Sequence, residues 1–287
     1  MSFAQTVALG ALAGFTIYIG LPVGRLQLLG GRSRVALAMF SVGVLAFIFV
    51  DVLSNGISIV DRALQAVKHH HGSAAYLIWL VVLLGAGFAV GSAGLAMVQR
   101  RMRPLGARIP KIAGGAPAAA LAGLEPDMVA LELDAARRSA LRTGLTIAAA
   151  IGVHNFAEGL AIGVSARAGA ISLATVLIIG FALHNATEGF GIVGPLGDVR
   201  PSWRWLGLAG LIGGGPTFLG SIVGYAVTSN ALELAFYAIA GGAILFVIGE
   251  IWNGMRRYGY RELELLMISA GFLIGVLTDL VVTYGGG

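Results

Sequence analysis

The chain contains eight stretches that are each long and apolar enough to cross a lipid bilayer as an α-helix. A membrane-spanning helix needs about 20 mostly apolar residues. By this rule, the spans, numbered 1 to 8, lie at residues 3–23, 35–57, 74–98, 140–165, 170–194, 204–229, 231–254 and 264–284. The sequence therefore predicts an all-α polytopic membrane protein, with residues 1–287 forming a single transmembrane domain.

The composition excludes the main classes of soluble protein. Charged residues make up 11% of the chain, against about 25% in an average soluble domain. Too little polar surface is left for a soluble enzyme, a nucleic-acid-binding protein or a disordered chain. The chain has no cysteine, which excludes thiolate metal sites and thiol catalysis. The predicted surroundings are the lipid bilayer, and no nucleic-acid partner is expected.

The basic residues predict the orientation in the membrane. Sixteen of the 19 Lys and Arg residues lie in or beside the connections between spans 1–2, 3–4, 5–6 and 7–8. Because basic residues concentrate in cytoplasmic loops, we expect both termini outside and the 99–139 loop in the cytoplasm, in a plasma or inner membrane. The net charge of +5 then reflects topology. Within the loop, a short amphipathic helix is predicted from near Pro126, either lying on the membrane or acting as a regulatory element.

Spans 4 and 5 carry two copies of one polar motif, HNxxEG. The copies begin at His154 and His184, and their glutamates are Glu158 and Glu188. A His and a Glu four positions apart lie on one helical face, as in other helical metal sites. Ionisable groups inside a membrane are costly and mark functional sites by default.

The spacing of the two copies predicts that they meet. His154 and His184 are equally distant from Gly169 in the predicted turn, about 15 residues or 22 Å of helix on each side. Two imidazoles and two carboxylates would converge near the middle of the bilayer, a ligand set that suits Zn²⁺. The alternative is that the pairs are hydrogen-bonded contacts between helices.

Twin HNxxEG motifs on the fourth and fifth of eight helices, with a long cytoplasmic 3–4 loop, resemble the ZIP (ZRT/IRT-like) family of divalent-metal transporters, in its bacterial type. The resemblance implies metal movement into the cytoplasm through a site formed by His154, Glu158, His184 and Glu188. It also implies that Asn155 would face an adjoining second site, together with the equivalent Asn185.

Three departures from the family pattern bear on that site. Ala157 and Thr187 stand where the family usually has proline, and Thr217 stands where two-metal members carry a glutamate. Asn185 replaces an acidic residue that is frequent in members with a full second site. Because Asn155 is also neutral, we expect one metal ion rather than two.

Other polar residues could line the pathway or serve as structure. Asp51 in span 2 could line it or take a packing role, and Glu250 in span 7 could accept the ion or pair with Arg256 or Arg257. Asp279 could take part in the entry of the metal ion, or its side chain could simply reach the membrane–water interface. The run His69, His70 and His71 in the outer 2–3 connection could capture ions.

The sequence leaves two functional classes to compare. The first is a carrier or conduit for Zn²⁺, with Fe²⁺, Mn²⁺, Cd²⁺ and Co²⁺ as other candidate substrates, since His/Glu sites accept several metals. The alternative is a membrane-embedded metalloenzyme with a metal-activated water, although the sequence lacks HExxH and GxSxG. Glycine-rich faces would also allow a homodimer.

Overall fold

The computed structural model describes residues 2–26, 30–102, 126–167, 182, 184–226 and 229–286. These residues form helices joined by short turns, and no β-strand occurs among them. Seven helices in this part of the chain are long and apolar enough to cross a membrane. They correspond to all the predicted spans except span 5, of which only 182 and 184–194 are described. The all-α prediction is therefore confirmed.

Span 1 is divided into three short helices. They are α1 (Phe3–Phe15), α2 (Ile17–Gly20) and α3 (Val23–Leu26). The first break falls at Thr16, whose hydroxyl donates to the carbonyl of Ala13 at 2.6 Å. The second contains Pro22, which has no N–H to continue a helical ladder.

Spans 2 and 3 form longer helical segments than predicted. Span 2 is α4 (Gly31–Lys68), which continues well past the predicted end at residue 57. Span 3 consists of α5 (Ala74–Ala89), a π-helical turn (Val90–Gly94) and α6 (Leu95–Met102). Most of the predicted outer 2–3 connection is therefore helical.

Span 4 belongs to one uninterrupted helix, α7 (Pro126–Arg167). The predicted helix start near Pro126 is confirmed, but the prediction of a separate surface helix is wrong. No Gly or Pro occurs between residues 127 and 143, so nothing in the sequence interrupts the helix before the membrane span. An ion pair between Asp134 and Arg138 supports this extension, since oppositely charged residues four apart stabilise a helix. Residues 103–125 of the predicted loop lie outside the described part.

The remaining helices follow in the predicted order. Residues 184–193 are helical and are called α8 here; a 3-10 turn (Gly194–Leu196) follows them. The last three long helices are α9 (Trp203–Ala226), α10 (Asn230–Met255) and α11 (Arg261–Gly286).

The helices pack as two groups that meet along α10. In one group, α7 packs against α9, and both contact α1. In the other, α4 packs against α11, α10 and α5. Helix α10 also contacts α7 and thereby joins the groups. Apolar side chains on α5 and α11, such as Val82 and Leu273, are exposed on the outside of the bundle, as expected for faces in contact with lipid.

Candidate metal site

The two HNxxEG motifs face each other across the contact between α7 and α8. Nε2 of His184 lies 2.5 Å from Oε1 of Glu158. Nε2 of His154 lies 3.1 Å from the same Glu158 oxygen and 3.7 Å from Oε1 of Glu188. Each of these contacts except His154–Glu158 links one motif to the other, so the predicted convergence of the motifs is observed.

Most of the site is buried, although the side chain of His184 is 15% exposed. The relative exposure of His154 and Glu188 is 0%, and that of Glu158 is 4%. Burying charged or polar groups at such depth is costly unless they are paired. The side chains nevertheless contact one another instead of forming a finished coordination shell, and no metal-binding group of three His, Asp or Glu is present among the described residues.

Buried polar atoms without a hydrogen-bond partner concentrate here. Within the described part of the chain, Nδ1 of His154, Oε2 of Glu158 and Oε1 of Glu188 have none. The amide oxygens of Asn155 and Asn185 are also buried without a hydrogen-bond partner. Buried groups are normally satisfied, so a concentration of free lone pairs around two carboxylates suits a cationic ligand.

The two asparagines use their amide N–H groups as donors. Nδ2 of Asn155 donates to Oε2 of Glu188 at 3.1 Å and to the carbonyl of Gly213 in α9 at 3.0 Å. Nδ2 of Asn185 donates to the carbonyl of Ala13 in α1 at 3.1 Å. Both asparagines are fully buried.

The glycine that ends each motif allows a neighbouring backbone to come close. A Cβ atom on Gly159 would collide with the carbonyl of Thr217 in α9. A Cβ atom on Gly189 would lie 2.5 Å from the carbonyl oxygen of Ile17 in α2. These two glycines therefore permit the close approach of neighbouring helices.

The residues that replace the family prolines leave the helices intact. Helix α7 continues through Ala157 without a break. In α8, the hydroxyl of Thr187 donates to the carbonyl of His184 at 2.7 Å. The carbonyl of Thr187 accepts a hydrogen bond from Ser41 in α4 at 2.6 Å, which joins the two helix groups beside the site.

Comparison with known proteins bears on the family. The profile of the ZIP Zinc transporter family matches residues 132–279, just over half of the chain and both motifs. The chain belongs to the ZIP zinc transporter family. A curated relative, the zinc transporter ZupT of Clostridium perfringens (strain 13 / Type A), is 33% identical over 146 residues, covering 48% of this chain and 50% of the relative. The chain thus spans about half the length of that relative in the match.

Membership of the ZIP family confirms the predicted resemblance. The chain is a multi-pass membrane protein of a transporter family. This family is not one of enzymes, which counts against the metalloenzyme alternative.

Thr217 stands in this ZIP-family chain where the two-metal pattern has a glutamate. It lies in α9 with a relative exposure of 0%, and its hydroxyl oxygen has no hydrogen-bond partner among the described residues. The position is thus buried beside the site, as a ligand position would be, but it carries no charge.

Asp51 lies within electrostatic reach of the ZIP motifs. Its carboxylate is accessible on α4 and accepts from Nδ2 of Asn55 at 3.4 Å. It interacts electrostatically with Asp279 on α11 and with Glu158, His154 and His184.

Glu250 has a partner that the sequence did not reveal. Its Oε2 accepts a hydrogen bond from Nε2 of Gln99 in α6 at 2.8 Å. Arg256 and Arg257 were the partners predicted from the sequence, because they are near Glu250 in the chain. Gln99 is brought to Glu250 by the packing of α6 and the π-helical turn against α10, a contact between distant parts of the sequence.

The histidine run lies at the end of α4, apart from the motifs. His69, His70 and His71 are all exposed, and His70 has a φ of 60°. The helical ladder ends here, with the N–H of His69 bonded to the carbonyl of Gln65. The run is thus an exposed helix end.

Proposed function

We propose that this ZIP-family protein transports a divalent metal ion, most suitably Zn²⁺, into the cytoplasm. The observation that carries the proposal is the reciprocal contact of the twin motifs: Glu158 touches both imidazoles, and His154 touches both carboxylates. These four side chains would bind the ion.

The chemistry of the four side chains suits such a substrate. Neutral imidazole nitrogens and carboxylate oxygens are the donors that Zn²⁺ takes in the absence of thiolates. Two ionised carboxylates would neutralise a divalent charge, which lowers the cost of holding the ion in a low-dielectric interior. Fe²⁺, Mn²⁺, Cd²⁺ and Co²⁺ are further candidate substrates, since selectivity among them depends on geometry.

We expect a single ion at this site. A second ion beside the first would add two positive charges, while Asn155, Asn185 and Thr217 are all neutral. The two carboxylates Glu158 and Glu188 are already needed to compensate the first ion. The uncompensated charge would make a two-metal centre unfavourable at this depth.

The proposed path enters past Asp51 and leaves past Glu250. In the full topology, eight spans would form one transmembrane domain, with both termini outside and the 99–139 segment in the cytoplasm. Asp51 and Asp279 would attract the cation on the outer side, and Glu250 would receive it on the inner side. The histidine run at 69–71 would have at most a capture role, and a homodimer stays a prediction.

Release to the inner side requires the two helix groups to move relative to each other. Helices α7 and α9 are interlocked through close glycine contacts and form a firm unit with α1. Helix α8 contacts this unit through Asn185 and Ala13, and the bond between Ser41 and the Thr187 carbonyl links α8 to α4. We propose that the unit shifts against α4 and α10, and that this shift opens the path from the motifs toward Glu250.

Zinc uptake into proteoliposomes tests the proposal. Purified protein is reconstituted with a zinc-sensitive dye inside the vesicles, and initial rates are measured for wild type and for Glu158→Ala combined with Glu188→Ala. Glu262→Ala is the matched control, since it removes an exposed carboxylate at the start of α11. The double variant should lose uptake while the control retains it; unchanged uptake in the double variant would refute the proposal.

A further inference from the structure

The asparagines of the two motifs are chemically equivalent in sequence but differ in what they hold. The side-chain amide of Asn155 donates two hydrogen bonds, one to Oε2 of Glu188 at 3.1 Å and one to the carbonyl of Gly213 at 3.0 Å. Among the described residues, Asn185 makes one such bond, to the carbonyl of Ala13 at 3.1 Å, and none to a motif glutamate. Only Asn155 therefore acts directly on a proposed metal ligand.

The partners of Asn155 fix which way its amide points. A backbone carbonyl can only accept a hydrogen bond, so Nδ2 must face Gly213. An ionised glutamate is likewise an acceptor only, and the same nitrogen faces Glu188. A nitrogen in this role has no lone pair for a metal, so the contact that Asn155 makes is that of a donor.

The hydrogen bond from Asn155 to the Gly213 carbonyl connects α7 to α9 beside Pro216. Gly213 directly follows Ile212, whose carbonyl has no helical donor because Pro216 lacks an N–H. Helix α9 therefore lacks one backbone hydrogen bond next to the residue that Asn155 binds. The bond joins α9, α7 and the Glu188 side chain of α8 at one amide group.

Asn185 connects α8 to span 1 at the break between α1 and α2. The Ala13 carbonyl that it contacts also accepts from the backbone N–H of Thr16 at 3.3 Å and from the Thr16 hydroxyl at 2.6 Å. Those bonds lie where α1 ends. Asn185 thus attaches α8 to the interrupted span 1 without touching Glu158 or Glu188.

We propose that Asn155 is a positioning residue that holds the Glu188 carboxylate in place for the metal. Its Oδ1 has no hydrogen-bond partner among the described residues, but Asn155, Asn185 and Thr217 carry no charge to compensate a second ion there. This inference rests on the proposed function. Oε1 of Glu188 has no hydrogen-bond partner among the described residues and lies 3.7 Å from Nε2 of His154, while Oε2 accepts a hydrogen bond from the amide of Asn155. The carboxylate thus presents one oxygen toward His154 and is anchored by the other.

The kinetic constants of zinc uptake separate this role from a general structural one. Asn155→Ala removes the donor to Glu188, and a hydrogen bond to a charged group is strong enough for its loss to raise KM about tenfold or more. Asn185→Ala is the matched comparison: the same change in the same motif, at a bond that does not reach a glutamate. It should lower the maximal rate while KM moves by less than about threefold.

A second substitution separates positioning from ligation. Asn155→Asp keeps the shape and the Oδ1 atom and adds a charge that would favour a second ion. If Asn155 positions Glu188, the new carboxylate cannot donate while ionised and repels Glu188, so KM should rise at least as much as in Asn155→Ala. Zinc bound per chain, measured by equilibrium dialysis with elemental analysis, should stay at or below the wild-type value.

Several results would overturn the assignment. One is an unchanged KM in Asn155→Ala. Another is a lower KM, or an additional bound zinc ion, in Asn155→Asp. A third is an equal loss of folded protein in Asn155→Ala and Asn185→Ala, measured by size-exclusion chromatography. All of these outcomes are compatible with zinc uptake by the wild-type protein. Absence of zinc uptake by wild type would instead refute the proposed function itself, so the two failures are distinguishable.

Discussion

Gly189 allows α8 to pack directly against the backbone of α2, and an added methyl group there should disturb the site. A Cβ atom at this position would lie 2.5 Å from the carbonyl oxygen of Ile17, 2.8 Å from Cα of Gly20 and 2.9 Å from the amide nitrogen of Leu21. Ordinary contacts begin near 3.4 Å, so the closest approach is short by about 0.9 Å. All three neighbours are backbone atoms, which cannot rotate away.

The expected cost follows from that overlap. Overpacking a well-packed interface by one methyl group typically costs about 1–3 kcal/mol. Because Gly189 follows Glu188 directly, the helix shift would also displace a proposed ligand. Metal sites require ligand distances within about 0.2 Å of their usual values, so Gly189→Ala should raise KM for zinc as well as lower stability.

Gly85→Ala is the control for this substitution. Gly85 lies in α5, and nothing would come within 4 Å of an added Cβ. Alanine there should leave stability unchanged or raise it by up to about 1 kcal/mol, because glycine is a poor helix former. Unfolding by denaturing detergent and zinc uptake would be measured for both variants. Equal stability and equal KM in Gly189→Ala and Gly85→Ala would refute the steric reasoning.

Three further predictions concern the chemistry of the path. Glu158→Gln removes one of two compensating charges and should weaken zinc binding at least about 100-fold by calorimetry; binding within threefold of wild type would contradict its ligand role. Zinc uptake should fall as the outer pH decreases from 7.5 to 5.5, because protons compete with the ion for imidazole and carboxylate groups; faster uptake in acid would contradict this. Gln99→Leu should lower the maximal rate of zinc uptake without changing KM, since it removes the partner of Glu250, which receives the ion after it leaves the motifs. A changed KM would contradict this role of the Gln99–Glu250 pair.

The twin motifs were predictable because their information is local. Residues four apart on a helix share a face whatever surrounds them, and equal distance from one turn fixes equal depth. His154, Glu158, His184 and Glu188 therefore converge as expected.

The features that the sequence did not predict depend on packing between distant segments. Hydropathy marks the part of a helix that enters lipid, but α4 and α7 extend beyond it because nothing breaks the backbone ladder. The hydrogen bond between Gln99 and Glu250 joins α6 to α10, and no local pattern encodes it. The different partners of Asn155 and Asn185 likewise depend on contacts with distant segments, with Gly213 of α9 and Ala13 of α1.

The central claim is that a divalent ion binds to both motifs at once, and X-ray absorption at the zinc edge tests it most directly. With one equivalent of Zn²⁺ bound to purified protein, we predict a shell of nitrogen and oxygen donors near 2.0–2.1 Å with the scattering pattern of two imidazoles. Glu158→Ala combined with Glu188→Ala should abolish this spectrum. A spectrum without imidazole scattering, or one that the double variant leaves unchanged, would contradict the claim.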